Sequence, residues 1–189
     1  MTPIEQKKRL RKECLARRLA LSPEEKQAAD AALCQTIASH PAFLQADLVL
    51  TFSPVRGEPD LSPLFTVAKE KNILVAYPRC AGTEMTFHTV NALQDLRPDR
   101  FGIPAPSADT PLARASDLTL CLLPGLAAGR DGTRLGYGGG FYDRFLVTFA
   151  GVCLFPIYEC LLFPTLPTEK TDRRVNWIVT EKGELPPNA

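Results

Sequence analysis

"DLVLTFSPVRGEPDLSPLFTVAKEKNILVAY", residues 47 to 77, sets two short apolar runs on either side of a segment with helical character. Asp47 to Phe52 is rich in strand formers, Leu61 to Lys71 reads as a helix entered from a polar turn, and Ile73 to Tyr77 is a strand of the buried type. Together they make a β-α-β unit. The same alternation continues outward. Met85 to Val90, Leu118 to Leu123, Val152 to Tyr158 and Val175 to Thr180 read as further strands, and Phe141 to Phe149 as a helix. Strands separated by helices predict an α/β fold with an open, mostly parallel, Rossmann-like sheet, helices on both faces, and ligands beyond the carboxyl ends of the strands.

Upstream, Thr2-Pro3-Ile4-Glu5 and Ser22-Pro23-Glu24-Glu25 both have capping-box spacing with proline at the first helical position. Two N-terminal helices, running to about 20 and 38 and antiparallel to one another, are expected from them. "RPDRFGIPAPSADTP", 97 to 111, is too rich in proline and polar residues for anything but a surface connection, and "EKGELPPNA" reads as a tail. There are no repeats or low-complexity tracts.

Bulk properties narrow the function classes. A chain of 189 residues, 45% hydrophobic and 23% charged, buries a full core as one domain spanning 1–189. A formal net charge of +1 gives no reason to expect a nucleic-acid partner. Six cysteines without a C-x-x-C pair, and only two histidines, speak for reduced buried thiols rather than a zinc site. The basic N-terminus lacks the apolar run of a signal peptide, and no stretch of about 18 apolar residues could span a bilayer. The expectation is a cytoplasmic protein, without membrane contact and monomeric.

Four of the twelve glycines fall between Gly136 and Gly140, in "RLGYGGGFYDRF", just before the helix expected at Phe141. No G-K-[ST] follows, so this is not a Walker A loop, and Phe141 stands where a dinucleotide fingerprint needs Gly or Ala. Glycines free in φ before a helix can still turn several N–H groups toward one anion. Arg134 and Arg144 bracket the loop as further donors, and Asp143 suits a Mg²⁺ ion that screens phosphates. The bland alternative is a sharp corner, with Asp143 favoured by the helix dipole and no metal at all.

"LLPGLAAGRDGTRLGYGGGFYDRFL", residues 122 to 146, resembles the ATP-site signature of the 5-formyltetrahydrofolate cyclo-ligase family, also called methenyltetrahydrofolate synthetases. The likeness extends through "KKRLRKE", "FSPVRGEPDLSPLF", "YPRC", "FGIPAPS" and "LPTEKTDRRVNWIVTE", in the family's order. Its most specific part, R-L-G-x-G-x-G-[FY]-Y-D, is complete as Arg134 to Asp143. The resemblance implies a CoA-transferase-like version of the fold. It also implies an enzyme that closes 5-formyltetrahydrofolate to 5,10-methenyltetrahydrofolate with ATP and Mg²⁺, by phosphorylating the formyl oxygen. A small reduced formyl folate would then be the partner.

On that resemblance, Arg134, Leu135, Gly136, Tyr137, Gly138, Gly139, Gly140, Phe141 and Tyr142 form the nucleotide loop, with Asp143 and Asp172 as metal-associated carboxylates. Lys7, with Lys8, Arg9, Leu10 and Arg11, matches the N-terminal nucleotide contact, and Arg134 and Lys7 carry catalysis by meeting phosphoryl charge. Glu58 matches the folate-contacting glutamate, and Phe52 and Tyr142 suit the folate ring. Without the resemblance, the basic helix reads as a solvated face, Glu58 as an exposed turn residue, and His40, His88 and Trp177 as structural. Two departures stand out: Ala127-Ala128-Gly129 where the family has Phe-Asp, and Asn176 where it commonly has Asp. They keep open a non-catalytic nucleotide- or RNA-binding relative, or a ligase acting on another pterin-like molecule.

Overall fold

A computed structural model describes residues 2–169 and 171–186. Both predicted capping boxes form: the Thr2 and Ser22 hydroxyls accept from Glu5 N and Glu25 N, and each glutamate accepts from its cap's backbone N–H. Each cap contributes about 1 kcal/mol. They open α1 (Pro3–Leu19) and α2 (Pro23–Ser39). α2 ends at His40, whose Nδ1 accepts from Ala42 N at 3.1 Å and starts the single turn α3 (Pro41–Leu44), the structural role expected of it.

The β-α-β unit is β1 (Leu48–Leu50), α4 (Pro63–Glu70) and β2 (Leu74–Ala81). Its strands run parallel, Leu48 beside Leu74 and Leu50 beside Ala76. β3 (Glu84–Thr89) folds back antiparallel on β2, and the proline-rich connection carries only a small ribbon, β4 (Arg97–Pro98) with β5 (Pro104–Ala105). β6 (Leu120–Leu122), β7 (Ala127–Gly129), β8 (Arg134–Leu135) and α5 (Phe141–Phe145) follow. The chain then forms β9 (Val152–Pro156), β10 (Leu162–Phe163), β11 (Trp177–Thr180) and β12 (Gly183–Leu185). Part of the expected tail is therefore a strand, and residues 187–189 lie outside the described residues.

The main sheet has the order β12-β11-β9-β6-β1-β2-β3, with antiparallel strands only at its two edges. From β1 the chain moves one way to β2 and later returns to place β6 on β1's other side, so the switch point lies between β1 and β6. Strands covered on both faces need apolar runs, which is why Leu48–Leu50, Leu120–Leu122 and Cys153–Pro156 are buried throughout. α2 packs on β11 and α4, α1 on a 3₁₀ turn at Glu159–Leu161, and α5 on β3. Among the described residues, no helix is long and apolar enough to cross a membrane.

One further reading needed correction, and one sheet was missed. The helix expected over 141–149 stops at Phe145, and the chain continues in three-residue turns, Val147 N to Arg144 O and Thr148 N to Phe145 O. β-branched Val147 and Thr148 favour that exit, while a Phe145–Phe149 ring contact at 5.2 Å preserves the spacing that looks helical. A second sheet, β10-β7-β8, was not foreseen, because strands of two or three small residues leave no periodic signal.

Candidate active site

α1 buries an unusual stripe. Lys7, Cys14 and Arg18 are buried and Arg11 is half-buried, at the 4, 3, 4 spacing of one helical face, so a basic face rather than an apolar one points inward. Each cation has a fixed partner. Lys7 Nζ donates to Glu169 Oε2 at 2.7 Å and Asp172 Oδ2 at 2.6 Å; Arg11 Nε donates to Gly136 O at 2.9 Å. Arg18 Nη1 donates to Gly125 O at 2.8 Å and Nη2 to the Tyr137 hydroxyl. Burial works against the Lys7 charge, but its hydrogen bonds to Asp172 and Glu169 outweigh it, with the charges of both carboxylates, and hold its pKa above the usual lysine value. Arg18 escaped the sequence reading; its signal was its place in the 7, 11, 14, 18 series.

The glycine loop rests on this helix. Gly138 at φ +96° and Gly140 at φ +66° occupy left-handed backbone that other residues rarely adopt. Among the described residues, no amide from Gly136 to Gly140 donates a hydrogen bond to the protein, while Gly136 O and Gly139 O are held by Arg11 and Arg144. Arg144 is exposed and also reaches Thr83 O at 2.9 Å, so it braces the loop against the β2–β3 turn. Arg134 is buried; its Nη1 donates to Pro124 O at 3.1 Å and its Nη2 to Asp143 Oδ1 at 3.0 Å, leaving Nε without a partner. The Tyr142 hydroxyl is likewise buried and unpartnered.

Glu58 is not the exposed turn residue of the bland reading: it is 2% exposed. Its Oε2 accepts from Val55 N at 3.0 Å and its Oε1 from the Tyr137 hydroxyl at 2.8 Å. Burial raises its pKa, against the pull of Val55, Tyr137, Arg18 and Arg56. Arg56 is thus a neighbour in charge, held in the turn at φ +49°.

These groups face one cleft of about 610 Å³ beyond the carboxyl ends of β1 and β6. Phe52, Glu58, Arg134 and every residue from Gly136 to Asp143 line it. So do Cys80, Asp99 and the exposed Phe101, which the sequence reading did not single out. The 97–105 ribbon brings the last two there, and a loop's reach is not encoded in local pattern. Leu135 is buried in β8, Leu10 packs on the core, Lys8 is exposed, and Arg9 is exposed with Glu13 at 3.1 Å; none of these lines the cleft. Lys7 and Asp172 form their own ion pair outside the lining.

For a metal, the described residues hold no cluster of three or more His, Cys, Asp or Glu side chains. Mg²⁺ commonly needs only one or two carboxylates and takes its other ligands from phosphate and water. Half-buried Asp143, with one oxygen on Arg134, fits that partial role; Asp172 is engaged by Lys7. The two departures occupy structural positions. Gly129 has Thr133 Oγ1 2.2 Å from where a Cβ would stand, and Asn176 Oδ1 accepts Cys153 N at 2.7 Å, tying β11's entry to β9. His88 is structural too, between Thr86 Oγ1 and Thr110 O, and Trp177 packs edge-on against His40.

Fold and cleft together place the candidate site of this α/β chain at the switch point of a parallel sheet, with unpaired amides on one wall and a buried carboxylate on another. The chain belongs to the 5-formyltetrahydrofolate cyclo-ligase family, whose sequence profile matches residues 3–181. The 5-formyltetrahydrofolate cyclo-ligase of Escherichia coli K12 is 31% identical over 175 residues, covering 87% of this chain and 94% of that protein. The NMR structure of Aquifex aeolicus 5,10-methenyltetrahydrofolate synthetase superposes with a TM-score of 0.87 at 31% identity, over 97% of this chain and 93% of that one. A 5,10-methenyltetrahydrofolate synthetase from Mycoplasma pneumoniae shares the fold, with a TM-score of 0.77 at 22% identity over 93% and 98%. The family is one of ligases, as the resemblance implied.

Proposed function

We propose that this chain converts 5-formyltetrahydrofolate to 5,10-methenyltetrahydrofolate, consuming ATP in the presence of Mg²⁺ and releasing ADP and phosphate. ATP supplies the phosphoryl group that turns the formyl oxygen into a leaving group, lost as phosphate when the second folate nitrogen closes the ring, and Mg²⁺ screens the phosphate charge. The protein's part is positioning and charge stabilisation. Unpaired amides of Gly136–Gly140 and the Arg134 guanidinium offer donors to phosphate oxygens, and Asp143 is the carboxylate placed to hold the metal. Lys7 is the N-terminal cation one helical turn from Arg11, which holds the loop. Glu58 accepts from pterin N–H groups, and Phe52, Tyr142 and Phe141 form the wall beside the ring.

One observation carries the proposal: Glu58, distant in sequence, lines the same cleft as Arg134, the glycine loop and Asp143. Six free cysteines and an unremarkable net charge accompany a monomeric cytoplasmic enzyme without a nucleic-acid partner. The test is direct. Purified protein with Mg-ATP and 5-formyltetrahydrofolate is expected to produce the methenyl product, followed by near-ultraviolet absorbance. ATP binding with no methenyl formation would overturn the proposal.

A further inference from the structure

The signature R-L-G-x-G-x-G leaves position 137 open, and here it holds a tyrosine whose hydroxyl is the middle member of a buried chain. Arg18 Nη2 donates to that hydroxyl, and an arginine has no acceptor, so the phenol proton has to point the other way. It points at Glu58 Oε1, 2.8 Å distant. Arg18 is itself fixed, 2% exposed and anchored through Nη1 on Gly125 O. The Tyr137 ring has the Arg18 and Arg56 guanidinium carbons each 5.8 Å from its centroid. Donation therefore runs one way from Arg18 through Tyr137 to Glu58, while the other arm of Arg18 donates to Gly125 O and anchors it.

We propose that Tyr137, backed by Arg18, is a positioning residue that fixes Glu58 as a fully accepting carboxylate and so sets how tightly the cleft takes an N–H-bearing ring. With Val55 N on Oε2 and Tyr137 on Oε1, each oxygen keeps a free lone pair for a ligand. The groups facing Glu58 are Arg18 from α1, Arg56 from its own turn, and Tyr137 and Tyr142 from the glycine loop and α5. Burial alone favours a protonated Glu58, which would present a donor where an acceptor is needed; the relay opposes that. A residue of the glycine loop thus serves the ring-binding side of the cleft. The idea rests on the proposed role of Glu58.

Tyr137→Phe tests it, since only the hydroxyl is lost. With ¹³C-labelled glutamate, and the Glu58 signal identified by its absence from Glu58→Gln, the titration midpoint of Glu58 is expected to move up in Tyr137→Phe. In turnover assays the KM for 5-formyltetrahydrofolate is expected to rise about tenfold, the loss of one hydrogen bond to a charged group, with a much smaller change in the KM for ATP. Arg18→Met should shift both readouts the same way if it folds, and Tyr137→Phe decides if it does not. An unmoved Glu58 midpoint, or equal changes in the two KM values, would overturn the relay even if the melting temperature falls. Failure of the wild type to turn over 5-formyltetrahydrofolate would sink the proposed activity instead, and the Glu58 titration would still decide the relay.

Discussion

The sheet interior and the cleft wall are both buried, yet they satisfy their polar atoms differently. Around the sheet, Thr180 bonds Gly183 O, His88 bonds at both ring nitrogens, and Thr119 bonds Ser116 N and Asp47. Among the described residues, the buried side-chain atoms left without a partner are Arg18 Nε, Arg134 Nε and the Tyr142 hydroxyl, all in or against the cleft. A buried polar group without a partner costs about 1–3 kcal/mol. Buried polar atoms around the sheet are thus met from within the protein, whereas along the cleft three are left open at a cost in stability.

Substitutions in the two regions should separate stability from activity. Leu154→Ala, at a fully buried β9 position, is expected to lower unfolding free energy by about 2–5 kcal/mol while leaving the KM values of the surviving enzyme near wild type, as chemical denaturation and steady-state kinetics would report. Arg134→Ala should cut kcat by on the order of a hundredfold if its guanidinium meets phosphoryl charge. Unchanged kinetics would remove that role.

Glu58→Gln is expected to raise the folate KM about tenfold and the ATP KM less, and equal effects on both would argue against a ring contact. The same variant carries a pH signature. Because burial raises the Glu58 pKa, the wild type holds the associated stability fully only below the unfolded carboxyl's value and loses it as pH rises through the folded one. Relative to wild type, Glu58→Gln should gain stability as pH rises above the ordinary carboxylate range, and a flat difference would contradict a desolvated carboxyl. Tyr142→Phe tests the cost of an open polar atom itself: removing a buried hydroxyl without a protein partner should raise stability by about 1 kcal/mol in a melting experiment, and an unchanged melting temperature would show that no such cost exists.

Local chemistry made much of the frame legible. Capping boxes at Thr2 and Ser22 and the apolar runs at 48–50 and 74–77 were decided by nearby residues, and the structure places elements there. The glycine loop was legible as a loop, and Glu58 and Arg134 as candidates through resemblance. What pattern could not show was partnership across the chain. That Arg18 reaches Tyr137, that Lys7 closes on Glu169 and Asp172 rather than on solvent, and that Phe101 returns to the cleft all depend on tertiary placement. Helix α5 was overdrawn for the opposite reason: its aromatic spacing persists through turns that are no longer helix.

The inward face of α1 has a consequence for how the molecule is born. Lys7, Arg11 and Arg18 find their partners 107 to 165 residues later in the chain. Docking of α1 thus depends on contacts of high sequence separation, which form slowly compared with local ones. Arg11 and Arg18 dock on Gly136 and Tyr137, which belong to the cleft's own loop, so seating this helix and shaping the pocket are one event.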